Sequence, residues 1–339
     1  MHHCLLAIRW SLLCGVLLAW AWTATPSAWA ADPVRVEYNS DKAVALVKRT
    51  GRPLLAIGGT TNCPYCVRMA RQLETNEALA PLAAKYVILK IDTSTPLWQE
   101  WARRYEVEGD GVPQVIILRG DGEQIYGKAG APVELDRFLE RYLTDAGTVL
   151  TDRELADLER LVKEAQKNLK KRDYPKAIEL AQECLREECH AEAVGEARKV
   201  LEQVVERARI GLKDAQKKLA TRDKALDGAV ALLDLKETFA GHSAAVAPID
   251  DAVTSGQQDS ARANLFEQAE VVRVARAKEQ ARQFPAAIET WQSLVERFPD
   301  TPGAELARRR IADLAKKVPG GSRAKSPEPS QPESRSQAD

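Results

Sequence analysis

The 339-residue sequence lacks several features that would point to a particular class of function. Its 49 basic and 49 acidic side chains balance, and no stretch concentrates lysine and arginine among aromatic residues, so nothing predicts a nucleic-acid partner. It contains no Asn-x-Ser/Thr glycosylation acceptor, and its last residues, SRSQAD, are not a retention signal. Cysteine is scarce, with six in the chain and a single Cys-x-x-Cys pair, whereas a structural zinc site needs four ligands.

The first thirty residues have the layout of a secretory signal. Arg9 supplies a positive charge, an apolar stretch runs from Trp10 to Trp22, and small residues surround Ala28 and Ala30. The apolar stretch is shorter than the roughly 20 residues that span a bilayer, so we expect a signal peptide over 1–30, cleaved after Ala30, rather than a membrane anchor. The mature protein is then expected outside the cytoplasm, in a bacterial periplasm.

Removal of the signal leaves four cysteines, which are Cys63, Cys66, Cys184 and Cys189. An exported protein with an even number of thiols enters an oxidising compartment, where disulfides form and persist. Cys184 and Cys189 are five residues apart, or about 140° around a continuous helix, so they can bridge only if the helix ends between them. Separate packing roles, a second disulfide across a broken helix end, and a part in metal binding or redox transfer all stay open for this pair.

Short apolar runs alternate with helical patterns between Val34 and Leu143. Buried strands are predicted at 53–59, 86–92 and 113–120, an edge strand at 123–128, and helices at 40–49, 64–80, 96–105 and 132–142. The order βαβαβαββα predicts a parallel sheet with an antiparallel hairpin around RGDGEQ. The expected fold of residues 31–148 is therefore α/β, a mixed sheet with helices on both faces.

The pattern becomes almost wholly helical after Leu150, so a domain boundary is predicted near 144–151. An all-α domain is expected over 149–318, with a loop at 241–260 inside it. The tail at 319–339 consists of proline, serine and charged residues with little to bury, which predicts disorder.

Two segments of the helical region are alike. KRDYPKAIE (171–179) and ARQFPAAIE (281–289) lie 110 residues apart and share five of nine residues, and ATRDKALDG (220–228) is a weaker echo. These segments resemble the turn and second-helix start of tetratricopeptide-type repeats, without the regular 34-residue period. Degenerate repeats that dock a partner protein and an irregular helical bundle are both open.

The stretch TTNCPYCVRM (60–69) contains the Cys-x-x-Cys pair. Pro64 stands where a first-turn proline is tolerated, directly after a predicted strand and loop, so Cys63 is expected at a helix N-terminus. Unpaired N–H groups and the helix dipole there favour a thiolate, which lowers the pKa of Cys63 and makes it the nucleophile. Cys66, one turn on and expected to be more buried, would resolve the mixed disulfide.

Two other interpretations of this pair fit the sequence less well. A metal site would require Cys184, Cys189 or His190 to fold onto the loop, and two inert structural thiols suit neither an exported protein nor a helix start. The sequence therefore predicts a redox pair with neither a metal nor a cofactor.

Residues 34–143 resemble the thioredoxin-fold family of thiol-disulfide oxidoreductases. The likeness is carried by the Cys-x-x-Cys pair, the strand ending at Asp92, the GVP motif, Lys128, Gly130 and a closing amphipathic helix. The resemblance implies a cis peptide bond between Val112 and Pro113 beside the thiols, with the Val112 backbone pairing with the substrate. It also implies that Pro113 keeps metal ions away from the thiols.

The active-site sequence is closer to that of glutaredoxins. CPYCVRMA, which places Pro64 and Tyr65 in the active-site loop, matches that branch of the family. The glutathione-contacting Gly-Gly-x-x-Asp of glutaredoxins is nevertheless absent. Asn62 replaces the tryptophan of thioredoxins, and Ile57 replaces their buried carboxylate, which moves protons for the second thiol. We therefore expect Cys66 to lose its proton to water or to the substrate thiolate.

These features together predict an exported thiol-disulfide oxidoreductase that acts on protein thiols and contributes to cell redox homeostasis. A client or partner would dock on the helical repeats, and a membrane-bound protein would donate or accept electrons. The alternative is an interaction protein whose thioredoxin-like domain has little or no activity. Reduction potentials of such scaffolds run from about −270 to −120 mV, so the direction of exchange stays open.

Overall fold

The computed structural model describes residues 32–317. The predicted signal peptide (1–30) and the predicted tail (319–339) therefore lie outside the described residues. Within residues 32–317, no helix combines the length and the apolar character needed to cross a membrane.

Five strands form one mixed sheet. They are β1 (Arg35–Glu37), β2 (Leu54–Gly59), β3 (Val87–Asp92), β4 (Gln114–Leu118) and β5 (Gln124–Ala129). The order across the sheet is β1-β3-β2-β4-β5, with β1 and β2 parallel to β3, and β4 antiparallel to β2 and β5. The predicted strands are confirmed, because long apolar runs fit a sheet that is covered on both faces.

Helices cover both faces of this sheet. One face is packed by α1 (Ser40–Thr50) and α4 (Pro96–Arg104), and the other by α2 (Pro64–Thr75), α3 (Ala80–Ala83) and α5 (Leu135–Ala146). Side chains of β2 alternate between the faces, so that Leu54 and Ala56 join the first layer while Leu55 and Ile57 join the second. The predicted α/β architecture is confirmed.

The single helix predicted over 64–80 is too long. α2 ends at Thr75, and Asn76 takes an extended conformation at φ −84° and ψ 108°. The Asn76 side chain accepts the backbone N–H of Ala78 at 2.9 Å, which turns the chain before α3 begins.

The rest of the described chain is helical, as predicted. It contains α6 (Asp152–Lys170), α7 (Tyr174–Cys184), α8 (Glu192–Leu219), α9 (Ala225–Phe239), α10 (Ser243–Gln258), α11 (Ala263–Gln280), α12 (Phe284–Arg297) and α13 (Pro302–Ala315). Helices adjacent in sequence pack as pairs, including α6 with α7, α8 with α9, and α11 with α12. Their apolar faces form one continuous core.

The prediction of a loop over 241–260 is wrong, because α10 occupies most of that range. Pro248 lies inside the helix, where it removes one backbone donor. The helix forms because its buried residues, Ala245, Ile249, Val253 and Gly256, follow one face that packs against α8, α9 and α11. Tertiary packing thus overrides the local signal of proline, glycine and serine.

The two similar segments adopt the same turn. Arg172 and Arg282 both have a positive φ, at 63° and 58°. In each turn the N–H of the next residue bonds to a carbonyl five residues back, from Asp173 to Asn168 at 3.0 Å and from Gln283 to Lys278 at 2.9 Å. This is the Schellman pattern of a helix C-terminus. The helix pairs α6–α7 and α11–α12 are therefore closed by matching turns.

A buried arginine joins the sheet to the helical region. Arg52, which is 1% exposed, donates to the carbonyl oxygens of Ala84 at 2.5 Å and Leu150 at 3.0 Å. It also pairs with Asp32 and, at 3.2 Å, with Asp152 at the start of α6. A guanidinium has five donors, so one side chain can hold these groups together away from water.

The helical region contacts the end of the sheet opposite the Cys-x-x-Cys pair. Gly51 precedes β2 and Gly120 follows β4, and both pack so closely against His190 or Ala191 that a side chain would clash. Cys63 instead follows the far end of β2, whose six residues span about 20 Å.

Candidate redox site

Cys63 caps the N-terminus of α2. Its backbone is extended, at φ −85° and ψ 110°, and Pro64 takes the first helical position. The Cys63 sulfur accepts the backbone N–H of Cys66 at 3.1 Å, and the Cys63 carbonyl accepts the N–H of Val67 at 3.1 Å. The sulfur thus occupies the position that an Asp or Ser side chain takes at other helix starts, where negative charge is stabilised.

Cys63 and Cys66 form a disulfide, with their Cα atoms 5.3 Å apart. Both residues are 7% exposed, so the expectation that Cys66 is the more buried one is wrong. The reason is that the neighbouring loop covers Cys63 as effectively as the sheet covers Cys66, whose sulfur lies against Gly59 of β2. Tyr65, which lies between the two cysteines in sequence, is 61% exposed.

The segment before β4 lies against the Cys63 sulfur. The peptide bond between Val112 and Pro113 is cis, as the resemblance implies, and the Val112 carbonyl oxygen is 3.8 Å from Cys63 Sγ. The Pro113 carbonyl accepts the N–H of Gly130 at 2.8 Å, which ties this segment to the end of β5. The residues that the sequence predicts for the active-site loop and for substrate binding are thus brought together.

Comparison with known proteins agrees with this arrangement. The family model for the thioredoxin-like domain matches residues 40–143. Residues 40–143 are a thioredoxin-like domain. No curated protein matches the chain.

Several solved structures are similar to the thioredoxin-like domain. A thioredoxin from Thermus thermophilus is 27% identical, with 34% of this chain and 91% of that chain covered and a TM-score of 0.30. The short form of spinach chloroplast thioredoxin f is 24% identical over 34% of this chain and 96% of that one, with a TM-score of 0.27. Trxlp from Edwardsiella tarda is 25% identical over 31% and 97%, with a TM-score of 0.25.

The thioredoxin-like domain, with its Cys-x-x-Cys pair, is of the thiol-disulfide oxidoreductase kind. Its polypeptide supplies two sulfurs that can exist as a dithiol or as a disulfide, and a helix start that favours the thiolate of the first. Among residues 32–317, no cluster of three or more His, Cys, Asp or Glu side chains is placed to hold a metal ion.

A cavity of about 300 Å³ opens beside Cys66 in the thioredoxin-like domain. Its wall includes Ile57 and three residues that the sequence does not predict for the site, which are Tyr38, Lys90 and Asp92. Lys90 forms an ion pair with Glu74 of α2, outside the cavity wall. The signal in the sequence is that Lys90 interrupts the otherwise apolar run VIL-K-I of β3.

The other two cysteines of residues 32–317, Cys184 and Cys189, lie outside the thioredoxin-like domain and are free thiols. Cys184 is the last residue of α7, so the helix does end before Cys189, yet no bond joins them. Burial raises the pKa of Cys184 to about 11, with the neighbouring Glu183 adding to the shift, and burial also raises the pKa of Cys189. Both side chains belong to the helical core, which agrees with separate packing roles.

Proposed function

We propose that this protein is an exported thiol-disulfide oxidoreductase that exchanges disulfides with protein thiols through Cys63 and Cys66. The observation that carries the proposal is the placement of the Cys63 sulfur at the start of α2, where it accepts the Cys66 N–H at 3.1 Å. A sulfur held in this way leaves more readily as a thiolate and attacks as one.

The exchange runs through a mixed disulfide. In the oxidised protein, a client thiolate attacks Cys63 Sγ, the Cys63–Cys66 bond breaks, and Cys66 leaves with the electron pair. A second client thiolate then attacks the client sulfur of the mixed disulfide, so Cys63 leaves as a thiolate and the client is oxidised. The reverse sequence reduces a client disulfide, with Cys63 as the attacking thiolate and Cys66 as the resolving one.

The surroundings of Cys63 favour a polypeptide as the client. Among the described residues, the Val112 N–H donates to no other group, so it is free to pair with an extended client segment. Apolar side chains are exposed near the thiols, with Tyr65 at 61% and Val67 at 53%. An extended segment lying along Val112 would bring its cysteine to the Cys63 sulfur.

Export and an electron partner belong to the same proposal. The sequence of residues 1–30 supports a signal peptide, and net oxidation or reduction of clients outside the cytoplasm continues only if an electron donor or acceptor resets the Cys63–Cys66 pair. We assign that task to a membrane-bound electron donor or acceptor, with an overall role in cell redox homeostasis.

The helical region is assigned to docking a client or partner, which the matching turns at Arg172 and Arg282 support as a tetratricopeptide-like array. Its attachment opposite the thiols limits what such docking can do. A partner held on the helices must extend past the roughly 20 Å length of β2 to reach Cys63, so the arrangement suits folded proteins better than short peptides.

Catalysed exchange with a test protein containing one disulfide checks the proposal. The full mature chain should accelerate its reduction or oxidation in a thiol-disulfide buffer, and Cys63→Ser should abolish that acceleration. Cys184→Ser combined with Cys189→Ser provides the matched control and should leave the rate unchanged. Equal rates with and without the wild-type protein would refute the oxidoreductase.

The alternative function is an interaction protein with a weakly active or inactive thioredoxin-like domain. The apolar Ile57 in place of a carboxylate favours it, together with a helical region larger than the domain that contains the thiols. Full retention of a partner by Cys63→Ser, combined with no exchange activity in the wild-type protein, would establish this alternative.

A further inference from the structure

The resolving thiol needs a group that stabilises its thiolate. When Cys63 is in a mixed disulfide, Cys66 must give up a proton before its sulfur can attack. The position in β2 from which a carboxylate would act is Ile57, which is 4% exposed and apolar. A charge that stabilises the Cys66 thiolate must therefore come from the groups around the cavity that Cys66 faces.

Lys90 lies on the side of Cys66 that faces the cavity. Cys66 packs on Gly59, and Lys90 is paired in register with Ile57, two positions before Gly59 on the neighbouring strand. Residues that pair across parallel strands point to the same face, so Lys90 extends over the face that Cys66 covers. Both side chains line the cavity of about 300 Å³.

The other charged or titratable groups around the cavity are less suited to this task. Tyr38 is 70% exposed. Asp92 is committed to Ser94, whose backbone N–H and hydroxyl lower the pKa of its carboxyl and keep it an anion. Glu74 pairs with Lys90 and does not line the cavity. Lys90 is the one cation among the described residues of the cavity wall.

The charged end of the Lys90 side chain is held in place by its neighbours. Its side chain is 19% exposed and forms an ion pair with Glu74, and its ammonium lies 5.6 Å from the centre of the Tyr38 ring. A half-buried cation is screened less than one in bulk water. Its flexible stem also allows the ammonium to turn from Glu74 toward the cavity.

We propose that Lys90 is a positioning residue for the resolving step. Its ammonium stabilises the thiolate of Cys66 across the cavity, and its ion pair with Glu74 weakens this effect. In that step the Cys66 thiol releases its proton to water, and its thiolate attacks Cys63 Sγ in the mixed disulfide. The Cys63–Cys66 bond forms, and the client sulfur leaves with the electron pair and takes up a proton. The client's own disulfide is the oxidant.

Ultraviolet absorbance of the Cys66 thiolate tests this inference. The full mature chain is used with Cys63, Cys184 and Cys189 changed to serine, so that Cys66 is the only thiol. Lys90→Met should raise the pH at which half of Cys66 is ionised by about 0.5 or more. Glu74→Gln should lower it, because the ammonium is then released, and Lys90→Arg should restore most of the wild-type value.

The matched control is Lys128→Met, which removes another lysine of the sheet that pairs with a glutamate, Glu108, and does not line the cavity. It should leave the midpoint unchanged. An unchanged midpoint in Lys90→Met, or a rise in Glu74→Gln, would overturn the inference.

The role of Lys90 in turnover rests on the proposed function, yet the inference and the proposed function can fail independently of each other. The Cys66 midpoint is measured without any client, so it reports on Lys90 even if no exchange is catalysed. If exchange is catalysed, Lys90→Met should slow release of the client from a Cys63 mixed disulfide several-fold at pH 7, and raising the pH should restore the rate. A slower rate that is independent of pH would indicate structural damage and overturn the assignment.

Discussion

The thioredoxin-like domain and the helical region each contain two cysteines, and the two pairs differ in kind. All four side chains are at most 7% exposed, so burial alone does not separate them. Cys63 stands at the start of α2 with a backbone N–H on its sulfur, whereas Cys184 is the last residue of α7. The first pair is a disulfide, and the second consists of two free thiols.

The two pairs teach that the end of the helix at which a cysteine stands, together with its burial, sets how readily its thiolate forms. A helix start presents N–H donors and positive potential, while a helix end presents carbonyl oxygens and negative potential. The Cys63 thiolate is therefore supported, and the Cys184 thiolate is opposed both by burial and by Glu183. We therefore expect Cys63 to be the reactive sulfur and Cys184 the inert one, although both side chains are buried.

Alkylation should show the largest contrast between the regions. In the fully reduced, native protein at pH 7, we expect iodoacetamide to modify Cys63 on the order of 10³-fold faster than Cys184, because only the thiolate reacts. Mass spectrometry of the labelled peptides gives both rates in one sample. Comparable rates would mean that helix position does not control reactivity here.

Removal of the arginine that joins the regions should have the next largest effect. Arg52→Met leaves Asp32 and the carbonyl oxygens of Ala84 and Leu150 without their buried donor, while Asp152 keeps its ion pair with Arg35, so the free energy of unfolding should fall by about 3 kcal/mol. The control Arg49→Met breaks an ion pair with Glu159 whose arginine is 60% exposed, and should cost about 1 kcal/mol or less. Denaturant titration measures both, and equal losses would contradict the role given to Arg52.

The buried thiol of the helical region should make stability depend on alkaline pH. An unfolded Cys184 releases its proton near its ordinary pKa, while the folded one keeps it until about 11, so the unfolded state binds fewer protons in between. The wild-type protein should therefore lose roughly 2 to 3 kcal/mol relative to Cys184→Ala as pH rises to 11, and none of this below pH 8. Unfolding midpoints of both proteins at several pH values measure this difference. Curves of midpoint against pH that run parallel for the two proteins would contradict the prediction.

The smallest effect is expected at the two matching turns. Arg172→Gly and Arg282→Gly relieve a positive φ that side chains adopt with strain, so each should raise the free energy of unfolding by up to about 1 kcal/mol. Thermal unfolding of each variant measures the gain in stability and shows whether the two turns respond alike. A gain at one turn and a loss at the other would mean that the turns are not equivalent.

The sequence predicts the redox pair well because its geometry is local. A strand, a short loop and a first-turn proline place Cys63 at a helix start without help from distant residues. The strands themselves are predicted for a similar reason, since long apolar runs mark strands that are buried on both faces of a sheet. The likeness of 171–179 to 281–289 likewise reports a turn that each segment forms on its own.

The failures concern contacts between distant residues. The helix around Pro248 forms because α8, α9 and α11 bury one of its faces, which no local pattern indicates. Lys90 meets Glu74 and the cavity only after β3 and α2 pack together, and Arg52 gains its partners only when α6 is in place. The equal burial of Cys63 and Cys66 depends on the Val112 loop, which lies 49 residues from Cys63 in sequence.

The pH dependence of Cys63 alkylation tests the proposed chemistry most directly. The full mature chain is reduced, with Cys184 and Cys189 changed to serine, and the rate of Cys63 labelling is followed from pH 4 to 10. We predict that the rate is half-maximal well below pH 8.5, about the value of an unperturbed cysteine. A midpoint at about 8.5 or above would contradict the claim that the start of α2 activates Cys63.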